Sequence, residues 1–151
     1  PEKNIKNGDP YQWQVEQGVK KIMEEIDDKN IDYILSYQSR VGPLKWIGPS
    51  TEEVIVENSK KGKHLVIVPI AFVSEHSETL VELDIEYEKL ARKNGCKNYT
   101  RIEALGVNQH FIESLSDLII NKDNYKFKDS LYPPKDRCPS NFSKCPCQLN
   151  A

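Results

Sequence analysis

One stretch limits the architecture more than any other. Leu65 to Val73 reads LVIVPIAFV, nine residues without a single polar side chain. A strand with one wet face alternates apolar and polar residues. An unbroken apolar run over Leu65–Phe72 is what a strand covered on both faces requires, and such strands belong to parallel sheets packed between helices. Nine residues are too few to cross a bilayer, which takes about 20 in a helix.

The segments around this run fit that frame. Asp9 can cap a helix with Pro10 at its first position and Gln12 completing a capping box. Val15, Val19, Ile22 and Ile26 then form one apolar stripe. DYILSYQS, residues 32–39, reads as a strand, and Gly42, Pro43, Gly48 and Pro49 punctuate the loop after it. Ser50 and Glu53 form a second capping box for a helix that stops at Gly62. Beyond the apolar run comes a helix with Leu80, Leu83, Tyr87 and Leu90 on one face, ending at Gly95. YTRIEAL is a weaker strand, and Asn108 caps a last helix carrying Phe111, Leu115 and Leu118. Alternating helices and strands predict an α/β fold, a parallel sheet flanked by helices over residues 1–121. Residues 122–151 are predicted to be an irregular, cysteine-rich extension. Ligands of such sheets sit beyond the carboxyl ends of the strands, so QSRVGPLKWIGPS and SEHSET are expected on the ligand-facing edge.

The chain has 151 residues and a net charge of −2, with acids and bases nearly balanced. That balance argues against a nucleic-acid surface or an acidic interaction tail. The chain starts at Pro1 rather than Met, so it is expected to be a piece of a longer protein.

Three constellations carry chemistry. After the apolar run, Glu75, Glu78, Glu82, Asp84, Glu86 and Glu88 precede the first base, Lys89. At about 100° per residue, Glu78, Glu82 and Glu86 fall within about 80° of one another on a helix. The helix dipole favours acids in the first turn, which accounts for Glu75 and Glu78 but not for Glu82 and Glu86. A solvated helix face is the plain reading. A row lining a path for a cation or a proton is the functional one, and His76 stands beside it. The second candidate is Trp46, on a glycine- and proline-bounded loop, either a core plug or a flat surface for an apolar ligand. The third is CPSNFSKCPC. Cys138, Cys145 and Cys147 have the spacing C-x6-C-x-C and would supply most of a four-coordinate zinc or iron–sulfur site. A fourth ligand would be Cys96, His110 or a residue outside this chain.

NGDPYQWQVE, YQSRVGPLKWIGPST, VPIAFVSEHSETLVELDIEY and the cysteine tail together resemble ferrochelatase, the lyase family that inserts ferrous iron into a porphyrin in haem biosynthesis. The resemblance covers nearly the whole chain. It implies the C-terminal half of a two-domain, Rossmann-like chelatase fold, with the porphyrin cleft between the halves and a catalytic histidine just upstream of Pro1. Residues 1–151 alone are therefore expected to be inactive. Glu78 matches the family's active-site glutamate, and His76 a position in the same motif. Glu82 and Glu86 match the acidic row leading away from the centre, with Glu75 as a further relay candidate. Glu75 departs from the pattern, since animal and fungal relatives usually carry Asp there; the charge is kept on a longer side chain. Tyr11, Trp46 and Phe72 match porphyrin-lining positions. The tail spacing resembles that of certain bacterial members with a [2Fe–2S] cluster, whose fourth cysteine comes from the N-terminal half. Cys138, Cys145 and Cys147 would then be the cluster ligands here, and Cys96 a bystander.

The resemblance makes Fe²⁺ a substrate, bound at Glu78, and protoporphyrin IX or coproporphyrin III its acceptor. It places the protein in the bacterial cytoplasm or on the matrix side of the mitochondrial inner membrane, with peripheral membrane association and a homodimer open. No nucleic-acid partner is expected. Two other readings stand beside it: a non-catalytic tetrapyrrole- or iron–sulfur-binding protein on the same scaffold, and a chelatase for another divalent metal such as cobalt. The residues before Pro1 discriminate the first, because a non-enzyme need not keep the histidine. Metal choice is not legible in carboxylate and imidazole ligands.

Overall fold

A computed structural model describes residues 1–121 and 138–146. In chain order the elements are α1 (Glu2–Lys6), α2 (Tyr11–Ile26), α3 (Thr51–Lys60), β1 (Leu65–Ile67), a π-helix (Glu78–Tyr87), α4 (Glu88–Lys93), β2 (Tyr99–Arg101) and α5 (Gln109–Ile120). The described residues form two compact units, one of residues 19–106 and one of residues 2–18 with residues 107–121 and 138–146.

The first unit is the expected α/β arrangement in small form. β1 and β2 pair in parallel, Leu65 opposite Tyr99, Val66 opposite Thr100 and Ile67 opposite Arg101. Ile55, Ala91 and Cys96 form the core, with Leu65, Ile67, Tyr87, Leu90 and Tyr99 packed around them. The Ser50–Glu53 capping box forms with both reciprocal bonds and starts α3. It settles two of the backbone donors that a helix start leaves unpaired. Gly62 and Gly95, at φ +71° and +98°, stand just past α3 and α4, in the left-handed region that only glycine enters freely.

Three expectations change. The apolar run is a strand only over Leu65–Ile67, and it is not covered on both faces: Val66 is 62 % exposed and Val68 54 %. Pro69 has no N–H to continue the ladder, and the chain turns there, with the Phe72 amide bonded to the Pro69 carbonyl. Residues 32–39 do not form a strand. A single parallel bridge joins Tyr37 to Ser50, while Tyr33 and Ile34 stay exposed, because among the described residues no strand lies alongside them to pair with. Third, the acidic segment winds as a π-helix rather than an α-helix. A turn closed by i→i+5 bonds holds between four and five residues. Positions four apart therefore stay in register, and Thr79 and Leu83 are buried with Tyr87 partly buried. Leu80, expected on the buried face, is 49 % exposed, since a three-residue step to Leu83 falls well short of a wider turn.

In the second unit Asp9 caps α2, its Oδ1 accepting from the Tyr11 amide at 2.9 Å. Gln12 does not complete a capping box; its amide donates to Glu16 instead. Asn108 caps α5 by accepting from the amides of His110 and Phe111. Residues 138–146 lie on the start of the chain. The Lys144 amide donates to the Gly8 carbonyl at 3.1 Å, and the Phe142 and Trp13 rings sit 6.0 Å apart between centroids. Among the described residues no helix is long and apolar enough to cross a membrane.

Candidate functional site

The π-helix and the loop after Tyr37 enclose a cavity of about 550 Å³. Glu78 and Glu82 line it from the π-helix, Glu52 and Glu53 from α3, and Arg40 with Gln38 and Ser39 from the loop. Four carboxylates face one guanidinium, and Arg40 spends its Nη2 on the Ile47 carbonyl at 2.9 Å. The excess of negative charge suits a cation, and hard carboxylate oxygens suit a divalent one. Glu53 is less available. The Ser50 hydroxyl and then the Ser50 amide hold its carboxyl below the usual range, as the capping box requires.

Glu78 and Glu82 are half-buried, and both are tethered from the loop. Gln38 Nε2 donates to Glu82 Oε2 at 2.8 Å, and the Ser39 hydroxyl donates to Glu78 Oε2. Glu86, the third member of the expected row, is exposed and does not line this cavity. Burial, and then the charge of Glu82, pushes the Tyr87 phenol up, so the cavity wall there stays neutral.

His76 precedes the π-helix and organises its start. Its carbonyl accepts from the Thr79 and Leu80 amides. Its ring Nδ1 accepts from the Glu78 amide at 3.2 Å. A neutral ring that accepts at Nδ1 carries its proton on Nε2. Phe72 meets the His76 ring edge-on, 4.4 Å between centroids at 85°, which fixes the plane of the imidazole.

Glu75 keeps different company. Its Oε1 accepts from Arg101 Nη1 at 2.5 Å and from the Ala104 amide at 2.8 Å, and it makes no bond to His76. Arg101 is 7 % exposed in its side chain and also holds Asp84, with Nε at 2.7 Å from Oδ1. The Thr79 hydroxyl, the Ala104 amide and the Arg101 guanidinium together hold the Glu75 carboxyl at about 2. A carboxylate so stabilised is a poor proton acceptor. The sequence groups Glu75 with the relay candidates Glu82 and Glu86, and its partners in the fold set it apart from them.

Within the first unit, Trp46 and Phe72 do not line the acidic cavity. Trp46 is half-buried, its Nε1 donating to the Val41 carbonyl at 3.3 Å. Tyr11, in the second unit, is 47 % exposed.

Of the tail cysteines, Cys145 is fully buried and Cys138 half-buried, with Gln14 Nε2 at 3.6 Å from Cys138 Sγ. Cys147 lies outside the described residues. Among the described residues no group of three or more His, Cys, Asp or Glu side chains is placed to hold a metal ion. Two thiols do not complete a [2Fe–2S] site, so the described residues do not by themselves fit that group. Cys96 is buried in the core of the first unit with its thiol toward the Lys63 and Asn98 carbonyls.

Sequence reasoning missed Gln38, Ser39 and Arg101. The first two sit in the quoted loop, and a polar pair on the expected ligand-facing edge was the available signal. Nothing local marks Arg101, which reaches Glu75 across 26 residues.

The ferrochelatase family model matches residues 1–123. A curated ferrochelatase of Pelagibacter ubique (strain HTCC1062) is 74 % identical over 147 residues, covering 97 % of this chain and 43 % of that protein. One of Rickettsia felis is 49 % identical over 152 residues, covering 99 % and 44 %. One of Rickettsia conorii is 46 % identical over 154 residues. The chain thus spans less than half the length of the curated relatives it matches.

Proposed function

This chain belongs to the ferrochelatase family, and we propose that the protein carrying it inserts Fe²⁺ into a porphyrin as a step of haem biosynthesis. The reaction exchanges two pyrrole N–H protons for one Fe²⁺, so charge balances without any redox step. The acceptor is protoporphyrin IX or coproporphyrin III. The observation that carries the reading is the acidic cavity, where Glu78 and Glu82 present partly buried carboxylates from one face of the π-helix.

Glu78 is assigned as the carboxylate nearest the porphyrin nitrogens. It accepts a pyrrole proton and offers an oxygen to the entering cation in exchange for water. Glu82 receives the proton or cation one step along, and Glu86, exposed at the end of the row, passes it to solvent. His76 orients Glu78 through the Nδ1 contact to its amide and presents Nε2–H. Glu75 is assigned a positioning role, because the Thr79 hydroxyl, the Ala104 amide and the Arg101 guanidinium leave it little capacity to take up a proton. Trp46, Phe72 and Tyr11 are assigned to the flat apolar substrate. Since the chain spans less than half the length of its curated relatives, residues 1–151 alone are proposed to be inactive.

A [2Fe–2S] cluster on Cys138, Cys145, Cys147 and one further cysteine belongs to the same proposal. Its support is the C-x6-C-x-C spacing and the burial of Cys145. It would stabilise or regulate, since the reaction transfers no electrons.

The test is an ordered series in the intact protein. Loss of a proton acceptor costs about 10²–10⁴-fold in rate. Glu78→Gln should lose most turnover while still folding and binding porphyrin, and Glu82→Gln should be milder. Glu88→Gln should be near neutral, because Glu88 is engaged with Arg92 on α4. Normal kcat in Glu78→Gln would refute the assignment.

A further inference from the structure

Arg101 closes β2, and its side chain is 7 % exposed. Tyr99 and Arg101 stand two apart on that strand and share a face, both partly buried while Thr100 between them is exposed. Both reach the π-helix. The Tyr99 hydroxyl donates to the Leu83 carbonyl at 2.7 Å. Arg101 forks onto the next residue, Nε donating to Asp84 Oδ1 at 2.7 Å and Nη2 to Asp84 Oδ2. Its Nη1 donates to Glu75 Oε1 at 2.5 Å. One guanidinium thus holds two carboxylates nine residues apart in the chain, with His76, Glu78 and Glu82 all between them. A planar fork of five donors can do this, and a point-like ammonium lacks the geometry. The first anchor is braced further. The Ala104 amide donates to the same Glu75 oxygen, the His76 amide donates to Thr79 Oγ1 at 2.9 Å, and the Thr79 hydroxyl donates to the His76 carbonyl at 3.0 Å.

We infer that Arg101 is a positioning residue of the proposed metal-insertion site: by clamping the π-helix and the residues before it to β2, it holds Glu78 and Glu82 in the cavity wall and His76 against the Glu78 amide. The inference rests on the reading of Glu78 and Glu82 as the acids that meet the porphyrin and the entering cation. Arg101 does not itself line the cavity, so it acts through the segment it holds. That segment has two ends to fix, and Arg101 fixes both. Placement matters because a displacement of about 1 Å at a reacting group can cost about 10²-fold in rate. Arg92 offers a contrast on the same unit. It pairs with Glu88 inside α4 with 53 % of its side chain exposed, where an ion pair contributes little.

The experiment compares Arg101→Lys with the unaltered intact protein in two measurements, the kinetics of metal insertion and the ¹⁵N resonances of the His76 ring. Lysine keeps the charge but cannot fork, so it serves one acid at a time. The kcat should fall by about 10²-fold, with a smaller change in KM for the porphyrin, because Arg101 does not line the cavity. The His76 Nδ1 resonance should move as the Glu78 amide draws away from it. An ion pair that served stability alone would lower the melting temperature and move neither. Arg92→Lys is the control and should also move neither. If Arg101→Lys does not fold, Glu75→Gln and Asp84→Asn carry the test with the same measurements, since each weakens one arm of the clamp and keeps the shape of its side chain. Unchanged kcat and an unchanged His76 resonance in folded Arg101→Lys, or in both single-arm variants, would overturn the positioning role. Normal turnover in Glu78→Gln would instead sink the acid row, and with it this role for Arg101.

Discussion

Replacing Gly8 with alanine should release residues 138–146 from the segment they dock on. Gly8 has φ +90°. A Cβ there would fall on Ser143 Oγ and lie 3.0 Å from the Ser143 amide nitrogen, which is backbone and cannot swing away. Left-handed geometry costs an L residue about 1–2 kcal/mol. Movement of the tail would break the bond from the Lys144 amide to the Gly8 carbonyl, a net loss of about 0.5–1.5 kcal/mol. It would also part the Trp13 and Phe142 rings, about 0.5–1.5 kcal/mol more. Docking should weaken by roughly 2–5 kcal/mol in sum, and about 1.4 kcal/mol is tenfold in an equilibrium. Hydrogen exchange of the Lys144 amide should therefore speed up by about 30-fold or more. Adding Ser143→Ala removes the Oγ clash and should restore part of the protection. Gly18→Ala is the control: nothing lies within 4 Å of its added Cβ, and it should stabilise α2 by about 1 kcal/mol without changing Lys144 exchange. Unchanged Lys144 protection in Gly8→Ala would refute the docking geometry.

Two more outcomes are expected. If the tail ligates a cluster, Cys145→Ser should bleach the visible absorption of anaerobically prepared protein while Cys96→Ser should not; zinc alone in elemental analysis would overturn the cluster reading. Glu75, held at about 2 against an ordinary 4.5, has a depressed folded value, so its stabilisation is complete above about pH 4.5 and is lost as pH falls toward 2. Acid titration followed by circular dichroism should show Glu75→Gln less stable at neutral pH and less sensitive through that window; equal acid sensitivity in both proteins would mean that the Thr79, Ala104 and Arg101 donors do not hold Glu75.

What could be read from residues in a row depended on interactions that stay within a turn or two. Ser50 and Glu53 are three apart and satisfy each other whatever surrounds them. Asn108 reaches its own next amides, and Gly62 and Gly95 stand where the chain must turn left-handed after a helix. The acid row was legible for a similar reason. A four-residue step stays near one face whether the turn holds 3.6 residues or somewhat more, so Glu78 and Glu82 share a wall in either winding. The winding itself was settled by packing, which turned Thr79 inward and Leu80 out. Strand length was equally a tertiary matter. Apolar residues state a capacity for burial, but a ladder needs a partner at each rung, and only Leu65–Ile67 has one in β2. The largest differences concern who holds each acid. Arg101 takes Glu75 from 26 residues away, and Gln38 takes Glu82 from 44. Glu75 and Glu82 have the same side chain, so composition and spacing treat them alike. Which partners each acid meets is decided by folding, a guanidinium and a backbone amide for Glu75 and a carboxamide for Glu82.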